Sequence, residues 1–178
     1  MRGREAPLFF ETEWKVIMIR IYRHDIEVPP SAIDENGHVN NVQYVQWMQD
    51  AAVQHSNASG CTQATLALGA SWVIRSHQIE YLRPAFQNDH IVILTWVSNF
   101  RRVRSLRKYR FFRESDKAIL ANGETDWVLV NSSPGARSPS QSILPTCLSW
   151  FPSRLNQRIL RPCLDLIHKS TFLKCMRK

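Results

Sequence analysis

Residues 41 to about 57 are apolar around most of a helical circumference, and no other feature constrains the fold as strongly. Positions 44, 45, 48, 51, 52 and 55 follow helical spacing. Val42, Trp47 and Val53 spread the apolar surface almost all round. A helix greasy on most sides is a buried helix, so the rest of the chain is expected to wrap it.

The material available for wrapping is strands. Val16 to Val28 is rich in β-branched residues, with Ile17, Ile19 and Ile21 on one face, and Pro29 and Pro30 end it. A short second helix is predicted over 61–69, closed by Gly69. Further strands are predicted near 72–82, 90–99, 102–113 and 118–131. Pro84, Asn88-Asp89, Asn99 and Ser115-Asp116 supply the breaks. This order is α+β, and its natural solution is a long central helix wrapped by an antiparallel sheet of about five strands.

Residues 1–15 read as a lead-in and 16–145 as the folded domain. A Ser, Pro and Gly-rich stretch runs from Asn131 to Ser142. Residues 146–178 read as a basic C-terminal extension.

With 178 residues, 44% of them apolar, the chain can bury one real core. No run reaches the roughly 18 to 20 apolar residues of a membrane span. Glu5, Glu11 and Glu13 flank the only early apolar patch, so no signal peptide is read and a cytoplasmic protein is expected. Cys61, Cys147, Cys163 and Cys175 show neither paired spacing nor a metal-ligand pattern with histidine, and four reduced thiols are expected. The net charge of +8 is uneven. Up to residue 132 there are 15 Lys/Arg against 14 Asp/Glu, and beyond it 8 Lys/Arg against Asp165 alone. A nucleic-acid footprint is therefore not expected of the body, and any case for one concerns the tail.

Chemistry concentrates at residues 34–44, Asp-Glu-Asn-Gly-His-Val-Asn-Asn-Val-Gln-Tyr. Asp34, Asn36 and His38 alternate as acid, amide and imidazole, and Gly37 lets the backbone turn among them. Asn40 and Asn41 then open the helix. A helix N-terminus has free N–H groups and about half a positive charge. With a carboxylate beside it, such a loop can hold a carbonyl oxygen through acyl transfer or hydrolysis. The plain alternative is a turn with an Asx hydrogen bond followed by a capped helix.

The order of elements together with this motif resembles the hotdog-fold thioesterases of the 4-hydroxybenzoyl-CoA thioesterase type. Asp34-x-x-Gly37 is similar to that family's catalytic-loop signature, and the longer string also resembles the plant acyl-ACP thioesterases. Glu80-Tyr81-Leu82-Arg83-Pro84-Ala85 with Asp89 resembles the family's second strand and turn. Ala121-x-Gly123-x-Thr125-x-Trp127-Val128 resembles its last strand. The resemblance implies hydrolysis of an acyl-CoA or acyl-ACP thioester without a metal or redox cofactor. It implies catalytic roles for Asp34, Asn36 and His38, with Asp34 as general base or nucleophile. Gly37 and the Asn41 N–H would form the backbone and oxyanion site. Tyr44, Arg102 and Arg104 are assigned to substrate binding. A homodimer or homotetramer is also implied, with sites between subunits.

Arg101 to Arg113 holds seven Lys/Arg interleaved with apolar residues. It reads either as a phosphate cradle for CoA or the carrier arm of ACP, or as a strand with a charged outer face. His55 is expected as packing on the central helix, and the basic tail as a membrane-surface or partner-binding segment or a plain extension. Beside hydrolysis stands a second function, a hotdog module that binds acyl chains or CoA without turnover.

Overall fold

The computed structural model describes residues 21–131 apart from Arg102. The expected strand residues Ile17 and Ile19, and the basic tail, lie outside the described residues. Strand β1 (Tyr22–Glu27) ends just before Val28 and Pro29, and Pro30 opens a single 3-10 turn, Pro30–Ala32. Proline's fixed φ suits that first position, where no N–H donor is needed. The motif loop follows, then helix α1 (Asn41–Ala58) and helix α2 (Cys61–Ala67). Strands β2 (Ala70–Tyr81), β3 (His90–Arg101), β4 (Arg104–Arg113) and β5 (Ile119–Asn131) complete the described chain.

All strand pairs are antiparallel, and the order in the sheet is β1-β3-β4-β5-β2. The break expected at Asn99 is instead a bulge: the β3–β4 register shifts between Val97 and Asn99, and β3 continues to Arg101. An extra residue in a strand is absorbed by a local kink without ending the pairing.

The 18-residue α1 lies against one face of the sheet. Tyr44, Trp47, Met48, Ala51, Ala52 and His55 form its buried stripe. The expected all-round burial is not met, because Val42 is 73% and Val53 45% exposed. Within one chain only one side of the helix has a sheet to face. The core joins α1 to Ile91, Ile93, Tyr109, Phe111 and Leu120, while Val92, Leu94, Trp96 and Phe112 form a separate cluster. β3 is buried throughout from Ile91 to Val97, because alternate side chains serve both clusters.

Gly123 shows why α1 can lie so close. A Cβ there would stand 2.8 Å from Met48 Sδ and 3.0 Å from its Cε. With a side chain at that point the buried end of Met48 would have to shift.

Candidate active site

The motif loop is built by local hydrogen bonds. Asp34 N–H donates to the His38 carbonyl at 2.9 Å, and Gly37 N–H donates to the Asp34 carbonyl at 3.0 Å. Gly37 takes φ +79°, a left-handed value that costs glycine little. Ile33 and Val39 pair as an isolated bridge across the loop's neck. Asp34 Oδ1 accepts from the Asn36 N–H at 2.9 Å, while Asn36 Nδ2 stands 3.5 Å from Oδ2. Asp34 and Asn36 thus form the Asx turn their spacing allows. His38 Nδ1 faces Asp34 Oδ1 at 3.6 Å, an electrostatic contact longer than a hydrogen bond. The Asp34 side chain is 21% exposed and that of His38 39%.

The loop feeds directly into α1. Asn40 is the N-cap: its Oδ1 accepts from the Val42 N–H at 2.9 Å, and its carbonyl accepts from the Gln43 N–H at 2.9 Å. Asn41 is therefore the first helical residue, and among the described residues no hydrogen bond reaches its N–H. Its carbonyl accepts from the Tyr81 hydroxyl at 3.1 Å.

Two contacts hold the loop to the body. Val39 N–H donates to the Ala85 carbonyl at 2.8 Å, and Asn40 N–H to the Ala32 carbonyl at 2.9 Å. The turn carrying Ala85 is held by Arg113, whose Nη2 donates to the Pro84 carbonyl at 2.6 Å and whose Nε donates to Asp89 Oδ2 at 3.0 Å. Asp89 Oδ2 also accepts from the Phe86 N–H at 2.9 Å. Sequence reading placed Asp89 in this turn but missed Arg113, which sits at the far end of the basic run. Its signal was position: it stands just before the Glu114–Asp116 turn that leads to β5.

The remaining assigned residues spread further. Tyr44 is buried under the loop, edge-on to Trp47, Tyr81 and Phe111. Burial pushes its phenol up to about 12. Arg104 is an exposed ion pair with Asp126, which also contacts Arg75 at 3.5 Å. Along β5 the Arg104 partner is Val128 and the Tyr81 partner is Ala121, so Arg104 lies about 23 Å from the loop end of the sheet. Arg102 lies outside the described residues. Elsewhere on β4, Lys108 pairs with Glu124 at 2.7 Å and Arg110 Nε donates to Asn122 Oδ1 at 3.2 Å, as a charged outer face would.

A cavity of about 250 Å³ lies away from the loop, between the C-terminal half of α1, α2 and the opening residues of β2. From Asn41 to Ser56, a wall residue, the helix rises about 22 Å. Among the described residues no group of three or more His, Cys, Asp or Glu side chains gathers as a metal ion requires, and no helix is long and apolar enough to cross a membrane.

The chain matches the thioesterase-like superfamily over residues 28–151, a span that contains the whole motif loop. It belongs to that superfamily. Solved structures agree on the fold. A 1,4-dihydroxy-2-naphthoyl-CoA thioesterase from Synechocystis superposes with a TM-score of 0.63 at 16% identity, covering 72% of this chain and 96% of that one. A DHNA-CoA thioesterase from Staphylococcus aureus gives 0.65 at 17%, covering 74% and 88%. An acyl-ACP thioesterase from Bacteroides thetaiotaomicron gives 0.63 at 18%, covering 68% of this chain and 50% of that longer one. These superpositions show the hotdog fold. No curated protein matches the chain in sequence.

Proposed function

We propose that this member of the thioesterase-like superfamily hydrolyses an acyl thioester, acyl-CoA or acyl-ACP, to the free acid and the thiol. One observation carries the proposal: a partly exposed carboxylate, Asp34, is held in a tight turn directly before a helix whose first N–H, that of Asn41, is unengaged among the described residues. The thioester oxygen would rest against that N–H, where the helix dipole and a free donor stabilise it as it gains charge. Asp34 Oδ1 accepts from the Asn36 N–H at 2.9 Å and Oδ2 has only the longer 3.5 Å contact with Asn36 Nδ2, so Oδ2 is the less engaged oxygen and would take the proton from water. Water oxygen adds to the carbonyl carbon, Asp34 accepts the proton, and collapse of the tetrahedral intermediate expels the thiolate, which is then protonated. Direct attack by Asp34 on the carbon, with later hydrolysis of the anhydride, uses the same geometry. His38 faces Asp34 as an orienting group, and Asn36 positions without titrating.

The open side of the loop carries exposed apolar residues, Val42, Tyr81 and Leu82. A second copy covering them would complete the acyl pocket, which supports a homodimer or a homotetramer built from dimers. Arg102 and Arg104 would then act on the nucleotide or carrier end of a substrate held between subunits.

The test is steady-state hydrolysis of a panel of acyl-CoA and acyl-ACP substrates with thiol detection. Asp34→Asn is expected to lower kcat/KM at least about a hundredfold, the scale of losing a general base. His38→Ala is expected to lose less. Unchanged turnover in Asp34→Asn removes that carboxylate from the reaction, and an inert wild type across the panel favours a binding module without turnover.

A further inference from the structure

Arg107 stands where a core residue belongs. The inner stripe of β4 reads Ser105, Arg107, Tyr109, Phe111, and all four are buried. Arg107 is 6% exposed. Its Nη1 donates to His55 Nδ1 at 2.8 Å and to Thr95 Oγ1 at 3.2 Å. A guanidinium can only donate, so His55 Nδ1 is the acceptor of that pair. Neither partner is an acid.

Among the described residues Arg107 makes no ion pair, and no hydrogen bond reaches its Nε or Nη2. The titratable groups that bear on its charge are a phenol, Tyr109, and a thiol, Cys61. The neighbouring arginines differ: Arg104 has Asp126, and Arg113 has Asp89 and Asp116. Burial pushes the Arg107 guanidinium down from its ordinary value, yet arginine stays charged at neutral pH. A desolvated cation without a counter-charge is costly, and an anion is what would offset the cost.

Arg107 lines the cavity of about 250 Å³ together with Leu66, Ala70, Trp72, Phe100 and Trp127. That space equals roughly eight waters at liquid density. Its walls are mostly apolar and aromatic, and the fixed charge among them is positive. The two unengaged nitrogens, Nε and Nη2, form one edge of the guanidinium fork, and that edge matches the two oxygens of a carboxylate.

We infer that this cavity is a binding site for an apolar monocarboxylate, with the acid group on Arg107 and the body against Trp72, Phe100 and Leu66. The site lies at the far end of α1 from Asp34. It is read by binding alone, so it does not depend on the hydrolysis proposed above.

The experiment is titration of the full chain with octanoate and with 1-octanol, by calorimetry and by tryptophan fluorescence. Octanoate is expected to bind at least tenfold more tightly than octanol. Arg107→Met is expected to bring octanoate down to the octanol level. Ser105→Leu, which fills the cavity and keeps Arg107, is expected to weaken both ligands at least tenfold. Asp34→Asn is expected to bind octanoate as the wild type does. Equal affinity of the wild type for the acid and the alcohol overturns the inference, as does octanoate binding that survives Ser105→Leu. Loss of octanoate binding in Asp34→Asn also overturns it, by moving the acid to the motif loop. Should Arg107→Met fail to fold, the acid-to-alcohol ratio in the wild type and the Ser105→Leu titration still decide.

Discussion

Gly123 and Asp34 were both visible as letters in a motif, but they act for different physical reasons. Asp34 needs neighbours of the right type at short range, and those are in the sequence: Asn36 supplies the N–H that fixes the carboxylate. At Gly123 the missing side chain leaves room for Met48, which presses on it from a helix 75 positions earlier. Gly123→Ala drives a methyl into a fully buried side chain, and overpacking of this kind costs about 1 to 3 kcal/mol. The urea midpoint is therefore expected to fall, with the m-value unchanged. An unchanged midpoint would mean that Met48 swings aside freely. Arg107 is the residue that sequence reading misplaced, as one member of a basic run with a phosphate-binding or outer-face role. Alternation had marked it, since Ser105, Tyr109 and Phe111 share its parity, but charge content argued the other way.

At the scale of elements, helix α1 depends on how it starts. Asn40 satisfies the Val42 N–H through its side chain and the Gln43 N–H through its carbonyl, while the Asn41 N–H has no hydrogen bond among the described residues. Asn40→Ala is expected to cost about 1 kcal/mol of stability, and Asn40→Asp or Asn40→Ser to restore most of it. Thermal unfolding of the three variants checks this; an alanine variant as stable as the wild type would show the cap to be idle. The elements were largely legible. α1 was predicted over 41 to about 57 and spans Asn41–Ala58, and the strand predicted at 90–99 runs as His90–Arg101. The error at Asn99 has a clear source. Asparagine marks turns in general, but here pairing with β4 resumes beyond one bulged residue, and tertiary pairing outweighs local preference.

For the whole molecule, two quantities follow. The first is assembly. Among the described residues β2 pairs with β5 on one side only, and Val42, Tyr81 and Leu82 are exposed near the loop. An unpaired sheet edge beside apolar surface favours association with a second copy. Light scattering is expected to give at least twice the 20.7 kDa chain mass, and a monomer at micromolar concentration would contradict the proposed acyl pocket between two copies. The second is pH. Burial holds His77 below its ordinary 6.5, so the unfolded chain takes up that proton first, and stability is lost as pH falls from about 6.5 through the depressed folded value. The Arg104 hydrogen bond holds Asp126 below 3.8, and the Ala118 N–H does the same for Asp116. Their contributions are present above that value and fade as pH drops through the depressed ones. Denaturant unfolding between pH 8 and pH 3 is expected to show both declines, and a curve flat from 8 to 5 would contradict the His77 part.

By itself the sequence determined the order of strands and helices, the turn around Asp34 and the start of α1. Each of these rests on interactions a few residues apart, where local spacing and backbone preference act directly. Tertiary structure alone decided that Val42 and Val53 stay exposed on α1, that Met48 presses on position 123, and that Arg107 faces inward to line a cavity while Arg104 faces out. Those outcomes depend on which distant strand lies opposite, and one-dimensional spacing carries no record of that.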